Sequence, residues 1–218
     1  NGVPAPWPTA LLANIGLLSL FAVQHSVMAR PAFKRWWTRI VPAPIERSTY
    51  VLASSLVLVL LFWQWRPVPH VVWQVEGPAR LALHGLAATG WLMLLASTFL
   101  INHFDLFGLR QAWFHMRGLR ADAEVPFVVR AFYRIVRHPL MLGFLIAFWA
   151  TPTMTVGHLL FALATTGYIV VAVKYLEERD LVAYHGDVYR HYQRRVPMLL
   201  PWPRPGTELT VDLDRSWL

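Results

Sequence analysis

The stretch RLALHGLAATGWLMLLASTFLI, from Arg80 to Ile101, decides the fold. After Arg80 it contains no Asp, Glu, Lys or Arg, and it is long enough to carry a helix across a hydrocarbon core, which takes roughly 20 residues. Working outward, Thr9 to Met28 and Tyr50 to Trp65 read as two more spans on its N-terminal side. On its C-terminal side Pro139 to Thr151 is a short apolar run stopped at Thr151-Pro152, and Val156 to Tyr175 follows it. The last two read as a hairpin closed by TPTMTVG, with the short arm covering only about 20 Å at about 1.5 Å per residue. The short arm is therefore expected to pack within the bundle.

Composition agrees with this reading. Of 218 residues 56% are hydrophobic and 15% charged, with eleven tryptophans; mean hydropathy is +0.41. A soluble domain carries nearer a quarter charged residues. The fold class expected is all-α: a polytopic membrane bundle of about five transmembrane helices with a C-terminal cofactor-binding region facing the cytoplasm. Without cysteine there are no disulfides or thiolate metal sites. The first residues show no charged n-region and no small-residue cleavage site, so no removable signal is expected. The net charge of +8 does not argue for nucleic acid, because the basic residues lie in loops between apolar segments. Arg30, Lys34, Arg35, Arg39 and Arg47 follow the first span, and Arg110, Arg117, Arg120, Arg130, Arg134 and Arg137 follow the third. Lys174, Arg179, Arg190, Arg194, Arg195, Arg204 and Arg215 follow the last, whereas the opposite side holds Arg66 and Arg80 alone. By the positive-inside rule the N-terminus is expected outside and the C-terminus in the cytoplasm. Trp63, Trp65 and Trp73 then suit an outer aromatic belt, and Trp36, Trp37 and Trp113 an inner one.

This topology brings many ionisable groups to one depth. Gln24, His25 and Ser26 end the first span there; Glu46, Arg47 and Tyr50 begin the second; Asn102, His103 and Asp105 end the third. YRIVRHPLMLG (Tyr133 to Gly143) and KYLEERDL (Lys174 to Leu181) join them. Such groups are costly in a membrane protein and face the bundle interior or water. Each suits an ordinary interface on its own; together they point to a site.

Three pieces carry the chemistry. In RHPLMLG, Pro139 suits the first position of a helix, and the N–H groups after it, from Leu140 on, point at whatever lies below. With Arg134, Arg137 and His138 nearby an anion is the natural guest, although a basic interfacial anchor has the same composition. Gly143 allows a ligand or a neighbouring helix to come close. Glu177 and Glu178 form a carboxylate pair in basic surroundings and need an arginine, a hydroxyl or a cation as partner. In GDVYRHYQRRVP, Gly186 breaks a helix, Asp187 suits an N-cap, and Tyr189 and Tyr192 share a face of a short helix able to lie over a cofactor or on the membrane.

In this order RHPLMLG, EERDL and YHGDVYRHYQRRVPMLLP resemble the C-terminal part of the isoprenylcysteine carboxyl methyltransferase-like membrane enzymes. The stretches FAVQHSVMARPAFKRWW, ERSTYVLASS and INHFDLFGLRQ resemble the branch that holds the methanethiol S-methyltransferases and a related group of membrane proteins of nitrogen-oxide metabolism. The pattern departs at Met141, where that family has a tyrosine. The resemblance implies S-adenosyl-L-methionine as cofactor, a small thiol such as methanethiol as substrate, dimethyl sulfide as product, and a bacterial inner membrane as setting. It implies that Arg134, His138, Pro139, Leu140 and Gly143 hold the methionine end, Glu177 or Glu178 the ribose or a cationic part, and Tyr189 and Tyr192 the adenosine side. Residues 1–132 would form the acceptor side, 133–204 the cofactor region and 205–218 a peripheral tail.

A thiol reacts as its thiolate, and an alkanethiol is no stronger an acid than cysteine. His25, His103 and Asp105 are the candidate bases, the two histidines first, while Arg47 and Tyr50 could steady the thiolate. The donor's positive charge and desolvation could also suffice with no base. Among rivals, an NADPH-dependent sterol-reductase-like enzyme would carry a glutamate where Phe144 follows Gly143. A metal enzyme lacks clustered histidines, since His185 and His191 are six apart, and no metal is expected. A transport or regulatory protein of nitrogen-oxide metabolism leaves the C-terminal pattern unexplained.

Overall fold

The computed structural model describes residues 5–119 and 129–202; Arg120, Arg204, Arg215 and the 205–218 tail lie outside it. The chain is helical nearly throughout. Its helices are α1 (Trp7–Ala29), α2 (Pro31–Trp37), α3 (Ala43–Gln64), α4 (Pro78–Ile101), α5 (His103–Leu106), α6 (Leu109–Met116) and α7 (Pro139–Trp149). After them come α8 (Val156–Ala172), a π-helical turn (Val173–Glu177), α9 (Glu178–His185) and α10 (Asp187–Arg195). Two short strands, β1 (Val71–Gln74) and β2 (Thr153–Thr155), complete the described elements.

Proline sets the starts. α1, α2, α3, α4 and α7 each carry a proline in the first two positions, where its fixed φ suits the helix and its missing N–H costs nothing. Proline also ends α1, because Arg30 precedes Pro31 and is held extended at ψ 141°. α4 ends where Asn102 turns left-handed at φ 111°, a conformation asparagine tolerates better than most residues.

Among the described residues four helical runs are long and apolar enough to cross a membrane: α1, α3, α4 and Val156–His185. α7, at 11 residues, reaches only roughly 16 Å and packs within the bundle, as its length suggests. It lies against α4 through two glycines. A methyl group on Gly143 would sit 2.7 Å from the Gly90 carbonyl oxygen, and one on Gly90 would sit 2.8 Å from that of Gly143. Small residues that let backbones touch are how helices gain contact where lipid removes the hydrophobic drive. Large apolar side chains such as Leu12, Leu52, Val59, Leu81 and Leu92 are exposed, as suits an apolar solvent.

Three local expectations need correction. The connection between α7 and α8 contains β2, which pairs antiparallel with β1, matching Val71 to Thr155 and Gln74 to Thr153; Trp73 Nε1 also donates to the Thr151 carbonyl at 3.1 Å. The last span does not stop near Tyr175 but continues helically to His185. Asp187 is the first residue of α10, and Gly186, at φ 61°, occupies the cap position.

At the end of the bundle away from the strands, five segments meet. Ser26 of α1 bonds Tyr168 of α8 at 3.0 Å, and Tyr50 of α3 bonds His25 of α1. His138, before α7, meets Glu178, and Arg47 of α3 reaches the Asp105 carbonyl past the end of α4.

Candidate functional site

The centre of this end is Glu178. Arg137 grips it bidentately, Nε to Oε1 at 2.8 Å and Nη2 to Oε2 at 3.0 Å. His138 Nε2 lies 2.7 Å from Oε1, Tyr189 donates its hydroxyl to the same oxygen at 2.9 Å, and Gln193 Nε2 donates to Oε2. Arg137 also donates to the carbonyls of Gln193 and Val196, closing the C-terminal end of α10. The chain beyond α10 is pinned back on the same motif, with Arg137 N–H donating to Pro197 and His138 N–H to Met198. Both carboxylate oxygens of Glu178 thus accept bonds from side chains of the protein.

Glu177 differs. Its side chain is 45% exposed against 9% for Glu178, and its carboxylate lies 3.5 Å from His138 Nδ1. Neighbouring side chains on a helix point about 100° apart, and here a π-helical turn ends on Glu177 and α9 begins on Glu178. A π turn inserts an extra residue into a helix and is frequent at functional sites. Burial pulls the His138 pKa down, but bonds to Glu177 and Glu178 overcome it and raise it to about 9. His138 is therefore a cation near neutrality. Burial pushes the Tyr189 and Tyr192 phenols above the ordinary range, so both remain donors. Tyr192 donates to the Tyr133 carbonyl at 2.5 Å.

α7 begins here at Pro139 with no side-chain cap. The N–H groups of Leu140 and Met141 have no acceptor inside the helix; the first helical bond runs from Leu142 to the His138 carbonyl. Arg134 is exposed on a 3₁₀ turn (Ala131–Arg134), one turn away from the buried Arg137. Gly143 faces Gly90 rather than the glutamates.

Beside this lies a polar cluster between α1, α3 and α8. The Tyr50 hydroxyl is 3.0 Å from His25 Nδ1 and 2.9 Å from Nε2, Ser54 Oγ is 3.2 Å from Nδ1, and Gln24 Nε2 donates to Ser54. Phe21 stacks on His25 with centroids 5.2 Å apart, and Tyr168 stands edge-on to it at 6.4 Å. Glu177 lies within electrostatic reach of His25, so the two clusters adjoin.

His103, Asp105 and Arg47 occupy a separate knot. His103 stacks on Phe99 at 4.4 Å and takes a 2.9 Å bond with Thr98. Asp105 is buried, ion-paired to Arg110 at 2.5 Å and bonded by Asn102, while Arg47 reaches its carbonyl at 3.0 Å. Gly108 brings this knot onto α3, since a Cβ there would sit 2.7 Å from Ser48 N.

Sequence reasoning singles out Glu178, His138, Tyr189 and Tyr192, and the fold brings them together. It names Arg137 beside Arg134 as an anion partner but carries only Arg134 among the cofactor residues, and it misses Gln193, Ser54 and Tyr168. Burial separates the two arginines, and no local pattern shows it. For Gln193 the helical spacing from Tyr189 was a usable signal.

Fold and site define an all-α polytopic membrane protein. A family model described as NnrU protein matches residues 14–199, and the chain belongs to that family. It is 58% identical over 208 residues to the methanethiol S-methyltransferase of Mycobacterium tuberculosis, covering 95% of this chain and 84% of the relative. It is 60% identical over 200 residues to methanethiol S-methyltransferase 2 of Bradyrhizobium diazoefficiens, covering 92% and 76%. Nurim of Sus scrofa is 32% identical over 188 residues, covering 82% and 68%. No solved structure gives a significant match.

Proposed function

We propose that this protein transfers a methyl group from S-adenosyl-L-methionine to methanethiol, giving dimethyl sulfide, at the cytoplasmic face of the membrane. The observation that carries it is identity of 58% and 60% along nearly the whole chain to two proteins named methanethiol S-methyltransferase. The cytoplasmic face follows from the arginine-rich loops at the end where the site lies.

The residues present fit such a donor. The uncapped Leu140 and Met141 amides and the His138 cation offer a place for a carboxylate. Glu177, with its partly exposed carboxylate, suits a cation or ribose hydroxyls, and the α10 face carrying Tyr189 and Tyr192 lines the adenosine side. Bound there, S-adenosylmethionine supplies a methyl group on a positively charged sulfur. The rest is alignment and exclusion of water. Arg137 and Glu178 hold the wall in place. His25 takes the thiol proton with Tyr50 beside it, a role its two ring nitrogens suit near neutral pH, while the aromatic rings of Phe21 and Tyr168 bound a small acceptor. His103 Nδ1 is bonded to Thr98 and Asp105 is ion-paired to Arg110 in the α4–α6 knot, and the two serve there as structure.

The reading is tested by thermal melting of the detergent-solubilised protein with each cofactor, since a ligand that binds only the folded state raises the melting temperature. S-adenosylmethionine is expected to stabilise it and NADPH to leave it unchanged. Stabilisation by NADPH alone would contradict the reading.

A further inference from the structure

The imidazole of His25 is covered on one face by Phe21, which stacks on it with centroids 5.2 Å apart and planes 22° apart. A stack fixes the plane of a ring but does not tell one of its nitrogens from the other. The Tyr50 hydroxyl does not tell them apart either, since it lies 3.0 Å from Nδ1 and 2.9 Å from Nε2. Ser54 does. Its Oγ lies 3.2 Å from Nδ1, and the residue is buried on α3 one helical turn beyond Tyr50. Gln24 holds that oxygen in place, for its Nε2 donates to Ser54 Oγ at 3.3 Å and to Met28 Sδ at 3.0 Å. Turned over, the amide would set its oxygen against a thioether that has no hydrogen to give.

An imidazole that takes a proton carries an N–H at both nitrogens, and each then needs an acceptor. The two N–H groups diverge from the ring, so one oxygen cannot lie in line with both. Tyr50 can therefore serve either nitrogen but not the two together. A hydroxyl oxygen has two lone pairs. Ser54 Oγ takes the Gln24 amide on one and has the other for Nδ1–H.

We propose that Ser54, steadied by Gln24, is the positioning residue of His25: it accepts Nδ1–H and so leaves Nε2 as the nitrogen that takes the thiol proton. In that step the proton leaves sulfur for Nε2, and the electron pair of the S–H bond stays on sulfur. This rests on the methyl-transfer reading above, in which His25 is the base, and adds to it a residue and the atom that receives the proton.

The test is turnover at pH 7, read as headspace dimethyl sulfide with S-adenosylmethionine and methanethiol supplied, for solubilised wild type, Ser54→Ala, His25→Ala and the double variant. Ser54→Ala is expected to lower kcat roughly tenfold, as loss of one bond to a charged group gives, and to leave the KM for methanethiol unchanged. In the His25→Ala background the same substitution is expected to change nothing further, because a positioning residue acts only through the group it positions. Ser54→Cys, whose sulfur is a weak acceptor, carries the same comparison where the alanine variant does not fold. Wild-type kcat in Ser54→Ala would overturn the inference and leave His25 as the base. An equal loss in both backgrounds would also overturn it, since the hydroxyl would then serve the fold alone. Unchanged turnover in His25→Ala would overturn the base reading and this inference with it, whereas a wild type that forms no dimethyl sulfide would overturn the methyl-transfer reading on which both rest.

Discussion

Arg137 and Glu178 form a buried, bidentate ion pair across 41 residues of sequence, at 2.8 and 3.0 Å. It joins the start of α7 to the first residue of α9, and through the Gln193 and Val196 carbonyls it carries α10. Breaking a buried pair leaves a charge without its partner, which costs about 3–5 kcal/mol. Glu178→Gln and Arg137→Ala should each lower the melting temperature of the solubilised protein sharply. Arg137→Lys should not rescue it, because an ammonium cannot reproduce the planar fork. Arg134→Ala, on an exposed turn, should stay within about 0.5 kcal/mol of wild type.

His138 gives a pH dependence. Its pKa rises from the ordinary 6.5 to about 9 in the fold, because its bonds to Glu177 and Glu178 outweigh the effect of burial, even though Arg137 shares Oε1 of Glu178 with it. A raised pKa contributes stability that is fully present below 6.5 and lost as pH rises through about 9. Melting temperatures of wild type and His138→Asn should differ most at pH 6 and converge by about pH 10. A gap that widens with pH would contradict this.

Gly90 and Gly143 predict a packing effect. Either glycine replaced by alanine places a methyl group within 2.8 Å of backbone on the facing helix, and backbone cannot swing aside as a side chain can. Overpacking of this kind costs about 1–3 kcal/mol. Because α7 starts directly after His138, the shift should also weaken donor binding, measured by calorimetry, although neither glycine touches the glutamates.

Much of this was legible in the sequence. The apolar runs gave the spans because only about 20 greasy residues cross a bilayer, and Pro139 announced α7 because proline favours a first turn. The strand pair was not legible. β1 and β2 are four and three residues long and meet across α4 and α7, so no local alternation marks them. Nor could the sequence divide the labour of Glu177 and Glu178, since that depends on which of two adjacent carboxylates faces Arg137 and which is left partly exposed. Arg134 and Arg137 look alike in sequence, and only their burial separates an exposed cation from the one that anchors the site.

His25 carries the chemical prediction. His25→Ala should lower turnover at pH 7 by roughly 10²–10⁴ and recover as pH rises, since the thiol then ionises without help. His103→Ala should lower the melting temperature and keep the wild-type pH profile, because its ring nitrogen is bonded to Thr98. Equal pH profiles for His25→Ala and wild type would remove His25 from the proposed base role.

The most direct measurement is headspace detection of dimethyl sulfide from purified protein supplied with S-adenosylmethionine and methanethiol. The account predicts dimethyl sulfide formed in proportion to enzyme, and lost in Glu177→Gln at low donor concentration. Absence of dimethyl sulfide from protein that melts higher with S-adenosylmethionine bound would contradict it, since the donor site would then serve another acceptor.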